Sequence, residues 1–397
     1  SPLVTMQLTR DIQFPRIPLR APQMPRGLSL PRGLSLSRKS KGNAVVGLEI
    51  EAGSIGAAEL EVNGSVRIGN AAVGNLPSGV FREGEVVDGE GLAGSLRDFF
   101  AEHKLSKRVR LGIGNQAVVV RTVRLPAIED PKELDAAVRF QAQEQMPMPL
   151  DQAVLEYQVV GGVPAEEGSP PQIDVVLIAA RREMINAFLR PLRRAGVELV
   201  GVDLSAFGMI RALADRAPTA AAPEGAGDDS VRPAAPTLYC SIGDAMNLAV
   251  ARGRSCLFTR ASHAGLGTIV DRLVASRELT AEHAAMWVSY VGLETPLEQI
   301  EGDPGLLEDA RGALTAGVTS LVDELRLSLD YYGAQEGAVP IEQVVLCGPG
   351  SAIQGVAGRI EAAVGLPISP ALPAALETME ATTAARLTLP YGLALEA

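Results

Sequence analysis

Apolar and polar positions alternate in two stretches that share one shape, VVGLEIEAGSIGAAELE at residues 45–61 and LYCSIGDAMNLAVAR at residues 238–252. In each, an apolar strand runs into Gly, Ala and Ser, and alternating residues lead back out with the period of two expected of half-buried strands. Each ends on a tight-turn signal, Asn63-Gly64 in the first and Arg252-Gly253-Arg254 in the second. Asn-Gly between alternating runs is a strong hairpin signal, because both turn residues need positive φ. Two such hairpins, one per half, predict two related domains facing each other across a cleft. Small turn residues let backbone N–H groups come close to a phosphate.

The rest of the pattern alternates strands with helices. Residues 86–100 predict a helix with Leu92, Leu96 and Phe99 on one face, and residues 108–125 two strands broken at 112–116. Asp130-Pro131 reads as a helix start, with Asp capping and Pro in the first turn. That helix carries Leu134, Val138 and Ala142 to Met146, where Pro147 and Pro149 stop it. Strands follow at 154–160 and 173–180, then a helix at 182–195, kinked or offset near Pro191 and closed by Gly196. A strand at 197–202 and a helix at 204–213 complete the first half. Residues 216–236, rich in Ala, Pro, Gly and Asp, predict a linker. The second half predicts helices at 265–279, 281–291 and 309–332, the last with Leu314, Val318, Leu321, Leu325 and Leu329 at threes and fours. An apolar strand at 343–347 runs into Gly348-Pro349-Gly350-Ser351 and a helix at 353–363 capped by Gly365, and a strand pair ending at 390–395 closes the chain. This alternation implies layered α/β domains.

Composition sharpens the picture at the ends and excludes several classes. The chain has 397 residues, enough for two domains and a large core. No apolar run approaches the roughly 20 residues of a membrane span, and no secretory signal is recognisable. Residues 1–42 carry eight Lys/Arg against one Asp, a net +7, leaving −18 on the remainder of a chain whose total is −11. This Pro- and Arg-rich segment, with its duplicated PRGLSL, predicts a disordered tail, either without a role or in contact with anionic lipid or an acidic partner. The acidic body argues against nucleic acid as a partner. Cys240, Cys256 and Cys347 sit in apolar contexts and read as reduced structural residues of a cytoplasmic protein. His103, His263 and His283 have no metal-ligand spacing.

The turn at Gly348–Ser351 joins a buried strand to a helix, where a helix N-terminus can take a phosphate. Together the three glycine-bearing turns suggest a nucleotide cleft between the halves, lined by Gly53, Ser54, Gly243, Asp244, Asn247, Gly348, Gly350 and Ser351. Arg121 and Arg124 read as alternating on one strand face, either solvated or paired with an acidic or carbonyl-rich partner. Met146 and Met148, flanking prolines, either line an adaptable peptide groove or pack in the core.

With these motifs the chain resembles the actin-like, FtsA-like family, and within it the PilM family of type IV pilus assembly proteins. The two hairpins resemble its phosphate-binding motifs and LCGPGSAIQG at 346–355 its adenosine motif. GNQAVVVRTVRLP at 114–126, AVRFQAQEQMPMPLDQAVLEYQVVG at 137–161 and LVDELRLSLDYYGAQ at 321–335 resemble PilM more specifically. The resemblance spans residues 43–397 and implies an α/β, two-lobed actin-like fold. The first lobe would be 43–215, a 1A core with a 1C-type α/β insertion at about 120–200; the second would be 237–397, a 2A core with 2B at about 265–315. It implies ATP with Mg²⁺ between the lobes, a cytoplasmic place beneath the inner-membrane pilus platform, and a grip on the short cytoplasmic N-terminal peptide of PilN in a groove involving 1C. It would thereby link the platform to the motor side; self-association stays open.

Several positions depart from the family pattern. In the first hairpin Glu49 stands at the family's Asp position, Glu51 replaces a glycine and Gly56 the usual lysine; in the second, Ser241 replaces an Asp and Asp244 is displaced by three residues. A carboxylate at 51 would meet an approaching phosphate with like charge, a cost of about 1 kcal/mol at 4 Å in water-like surroundings and several times that in less screened ones. These changes predict weak or absent ATP binding, no hydrolysis and no catalytic residue. The competing readings are an active actin-like ATPase, switch or kinase-like transferase, and an FtsA-like cell-division protein. The latter family usually ends in an amphipathic membrane helix, which YGLALEA at 391–397 is too short to form.

Overall fold

The computed structural model describes residues 44–62, 66–163, 171–216, 236–335 and 338–395. The tail at 1–42, the Asn63-Gly64 turn and nearly all of the 216–236 linker lie outside the described residues.

Two five-stranded sheets of identical topology form the two lobes. The first opens with β1 (Val45–Glu51), β2 (Ser54–Val62) and β3 (Val66–Asn75). A small hairpin of β4 (Phe81–Arg82) and β5 (Glu85–Val86) leads to α1 (Gly89–Glu102) and β6 (Arg108–Ile113). After an insertion come α3 (Arg182–Arg194), β10 (Glu198–Leu204) and α4 (Ser205–Leu213). The insertion consists of β7 (Val118–Pro126), α2 (Pro131–Gln145), β8 (Ala153–Val163) and β9 (Gln172–Arg181). The sheet order is β10-β6-β1-β2-β3, with β1 antiparallel to β2 and parallel to β6.

The second lobe repeats this plan. Its strands are β11 (Thr237–Ile242), β12 (Met246–Arg252), β13 (Ser255–Ser262), β14 (Gln343–Cys347) and β15 (Ile368–Pro370). They lie in the order β13-β12-β11-β14-β15, again a three-stranded meander followed by two parallel strands. Its helices are α5 (Leu266–Arg277), α6 (Ala281–Val291), the 30-residue α7 (Pro304–Gly333) and α8 (Val356–Val364), and the chain then returns to the first lobe in α9 (Ala381–Ala394). The central strands are buried on both faces, as parallel strands covered by helices must be. Every residue of β11 is buried, as are Val45–Leu48 of β1.

Local chemistry sets the helix starts. Asp88 accepts from the backbone nitrogens of Glu90 and Gly91 at 3.0 and 3.1 Å, and Asp130 from those of Lys132 and Glu133 at 2.8 and 3.0 Å. Pro131 sits in the first turn of α2, where its missing N–H costs nothing. Gly196, at φ +73°, turns the chain after α3, which runs through Pro191 to Arg194.

Two expectations are corrected. The C-terminal stretch is not a strand pair: residues 381–394 form α9. Glu380 caps the helix and the Thr388 hydroxyl donates to the Ala384 carbonyl at 3.1 Å. The helix lies against α4, β1 and β2, burying Leu387, Leu389 and Leu393, and this packing outweighs the weak propensities. Arg121 and Arg124 do not share a strand face. β7 pairs regularly with β9, so positions three apart point opposite ways. Arg121 has the parity of Val123 and Leu125, which pack toward α2, whereas Arg124 pairs with Asp174 at 2.9 Å on the other side.

Candidate functional site

The β1–β2 turn of the first lobe faces the β11–β12 turn of the second. Between them lies a cavity of about 160 Å³. Its walls include Glu49, Glu51 and Ala52 from the first hairpin, Arg82 and Glu83 from the β4–β5 hairpin, Asp244, Ala245 and Asn247 from the second hairpin, Gly112–Gly114 at the end of β6, and Thr268 and Asp271 from α5.

The cleft is bridged by protein atoms. Glu51 Oε1 accepts a hydrogen bond from the Asp244 backbone nitrogen at 3.1 Å. The carboxylate lies against Gly243, where an added Cβ would fall 2.0 Å from Oε1. Arg386, from α9, places Nη1 3.8 Å from Glu51 Oε2 and donates to Ser54 Oγ at 3.1 Å. Asn247 reaches the other lobe, its Oδ1 2.4 Å from where a Cβ on Gly114 would stand. Behind Glu51, Ser205 at the start of α4 lines the cavity beside Glu49, and the Asp244 Oδ2 is sealed from solvent without a hydrogen-bond partner.

Three carboxyls meet here, and the Arg386 guanidinium acts on two of them, Glu51 and Asp244. Burial, reinforced by the Glu51 charge and opposed by the Ser205 hydroxyl, pushes the Glu49 carboxyl up to about 8. Burial also raises Glu51, against the pull of Arg386 and of the Asp244 amide. Asp244 lies well above the usual carboxylate range, through burial and then the Glu51 and Asp271 charges, with Arg386 opposing. Among the described residues no group of three or more His, Cys, Asp or Glu is arranged to hold a metal ion.

The residues picked out by sequence divide into two sets. Gly53 makes the first turn at φ +84°, with open space where a Cβ would stand, and Ser54, Gly243, Asp244 and Asn247 gather at the cleft. Gly348, Gly350 and Ser351 are used in packing instead. A Cβ on Gly350 would meet Ile242 Cγ2 at 2.3 Å, and Ser351 Oγ donates back to the Gly348 carbonyl at 2.7 Å. Met146 is buried in the core between α2 and the three-stranded sheet β7-β9-β8, with Met148 half-buried against it. Arg386, Asp271 and Ser205 escaped the sequence reading. Arg386 and Pro390 are four apart on α9, so a helical reading of 381–394 would have aimed both at the first hairpin, where Pro390 and the Arg386 carbonyl cover Gly56.

A second cavity, of about 420 Å³, opens where the insertion joins the first lobe. The β4–β5 hairpin (Arg82, Glu83, Glu85, Val86), residues Asn115–Ala117 before β7, and His263 of the second lobe line it. Asn115 fixes the hairpin by donating to the Gly84 carbonyl at 2.9 Å.

Residues 47–389 match the family described as Type IV pilus assembly protein PilM. The chain belongs to the PilM family. Its fold is similar to that of a solved PilM-PilN type IV pilus biogenesis complex, at 24% identity and a TM-score of 0.70 over 88% of this chain and 97% of that one. The two-lobed architecture is therefore the actin-like fold of this family. The ethanolamine utilization protein EutJ from Carboxydothermus hydrogenoformans matches at 14% identity and a TM-score of 0.49, over 91% and 92% of the two chains. MreB 5 of Spiroplasma citri bound to AMPPNP matches at 12% and 0.44, over 89% and 95%. No helix among the described residues is long and apolar enough to cross a membrane.

Proposed function

We propose that this PilM-family chain is a nucleotide-independent adaptor of the type IV pilus assembly platform, holding the cytoplasmic N-terminal peptide of a PilN partner at the inner face of the cell membrane. The observation that carries the nucleotide-independent part is the Glu51 carboxylate on the Asp244 amide. A phosphate entering between the hairpins would compete with that carboxylate and face Glu49 and Asp244 beside it. The cleft cavity of about 160 Å³ is also smaller than the roughly 300–1,000 Å³ of ordinary small-molecule pockets. A nucleotide's phosphates do not fit the residues present, and no hydrolytic step is assigned to them.

The peptide-holding part is supported by the partner named in the PilM-PilN complex and by the larger cavity between the β4–β5 hairpin and the insertion. Extended peptides are held by strand addition and by side-chain pockets. The groove would run along the 1C insertion, at about 120–200, and end in this cavity. Of the residues put forward for it, Arg121 and Met148 are part-accessible, Arg124 is engaged by Asp174 and Met146 supports from the core. The domain division proposed is a first lobe of 43–215, a linker at 216–236 and a second lobe of 237–397.

Calorimetric titration of the full chain with Mg·ATP, and separately with a PilN N-terminal peptide, tests both parts. Binding of peptide without nucleotide is the expected result. Tight Mg·ATP binding would overturn the nucleotide-independent part, and absence of peptide binding the adaptor part.

A further inference from the structure

The Glu51 carboxylate makes a contact that spans the molecule. It sits at the end of β1, in the first lobe, and accepts from a backbone N–H in the β11–β12 turn of the second. The groups facing it are Glu49 from its own strand, Asp244 and Asp271 from the second lobe, and Arg386 from α9. Those acids oppose an anion at this place and the Arg386 guanidinium favours it, while Arg82, Glu83 and His263 line the same cavity. Gly243 completes the arrangement: with no Cβ, it leaves the room the carboxylate occupies.

We infer that Glu51 is a built-in anion that takes the seat of a phosphate and latches the two lobes together, with Arg386 as its counter-ion. Arg386 hangs from α9, which packs on α4, β1 and β2, and it is fixed to Ser54 in the same turn as Glu51. The latch therefore joins three elements: the first hairpin, the second hairpin and the C-terminal helix. The inference rests on the nucleotide part of the proposed function and is independent of the pilus partner. In this chain the closed arrangement of the lobes is set by sequence rather than by a bound anion.

Hydrogen exchange at the Asp244 amide, with small-angle scattering of the full chain, tests the latch. In the wild type this amide exchanges slowly and inorganic pyrophosphate changes nothing. In Glu51→Ala exchange accelerates about tenfold to a hundredfold, as loss of a charge-assisted bond dictates, the scattering envelope widens, and millimolar pyrophosphate restores both. Gly243→Ala makes the same break from the other lobe, because its Cβ collides only with the far end of the flexible Glu51 side chain. It serves if Glu51→Ala fails to fold. Unchanged exchange in both variants would overturn the latch; acceleration that pyrophosphate does not reverse would overturn the phosphate seat. Mg·ATP binding by the wild type would instead break the proposed function, so the two failures are told apart.

Discussion

Arg386 lies 3.8 Å from Glu51, and it is the cation that favours the ionised forms of Glu51 and Asp244 in the cleft. Replacing it with Leu keeps the packing of its stem and removes the charge. The pair is about a quarter exposed, so the full penalty for stranding a buried charge is discounted to about 1–3 kcal/mol at neutral pH. The loss shrinks as pH falls, because Glu51 and Asp244, both raised above the ordinary carboxylate range, take up protons earlier than a free carboxyl and then need no cation. Urea unfolding at pH 5 and pH 7.5 checks this: the gap between wild type and Arg386→Leu should widen with pH.

Stability should fall as pH rises through the neutral range. Glu49 has a folded value near 8 against an ordinary 4.5, so between those limits the folded protein holds a proton that the unfolded chain has lost. That contribution is fully present below about 4.5 and is lost as pH approaches 8. Glu51 and Asp244 shift in the same direction. Glu49→Gln removes the titration while keeping the shape, so its unfolding free energy should be flatter between pH 5 and 8. Parallel curves for the two proteins would sink this account.

Glu380 titrates the other way. It caps α9 through the backbone nitrogens of Thr382 and Thr383 at 2.9 and 2.8 Å, and these bonds hold its carboxyl down near 2. The cap is present above about 4.5 and is lost as pH falls toward 2. Glu380→Ala should cost about 0.5–2 kcal/mol at pH 7, the usual range for a lost N-cap, and much less near pH 2. Thermal melts at the two pH values measure it.

Asp203 and Arg211 form a buried ion pair between β10 and α4, and Arg211 also donates to the Gly392 carbonyl of α9 at 2.9 Å. Asp203→Ala leaves the guanidinium buried without its anion and should cost about 3–5 kcal/mol. The double variant Asp203→Leu with Arg211→Met should recover part of that loss, because no unpaired charge remains. Chemical denaturation of the two proteins gives the comparison.

Much of this molecule is legible in its sequence because local and tertiary preferences agree. Asp130-Pro131 caps and starts α2 on its own chemistry, the apolar threes and fours of α7 leave it no alternative, and both hairpin turns sit at the cleft as their small residues predict. Glu51 was recognisable as an anion in the wrong place; that it would settle on the Asp244 amide was not, since the partner lies 193 residues away. α9 was misread: the helix at 381–394 has no sharp local signal, and packing on α4, β1 and β2 holds it in place. With the helix went Arg386. A period of two was also misapplied to Arg121 and Arg124, three positions apart.

Two glycines should respond in opposite ways to the same added methyl. Gly392 of α9 crosses α4 so closely that a Cβ would fall 1.8 Å from the Gly208 carbonyl oxygen, a backbone atom that cannot step aside. Gly392→Ala must push the helices apart and should destabilise by about 1–3 kcal/mol or more. Because α9 carries Arg386, the same change should loosen the first hairpin, read as faster exchange at the Asp244 amide. Gly312, on the exposed side of α7, has nothing within 4 Å of its missing Cβ. Gly312→Ala should stabilise by about 0.4–1 kcal/mol, since it removes freedom from the unfolded chain and costs the helix nothing. The pair separates a crowded crossing from simple helix propensity: if Gly392→Ala were also neutral or stabilising, the close packing of α9 on α4 would not be what fixes the helix in place.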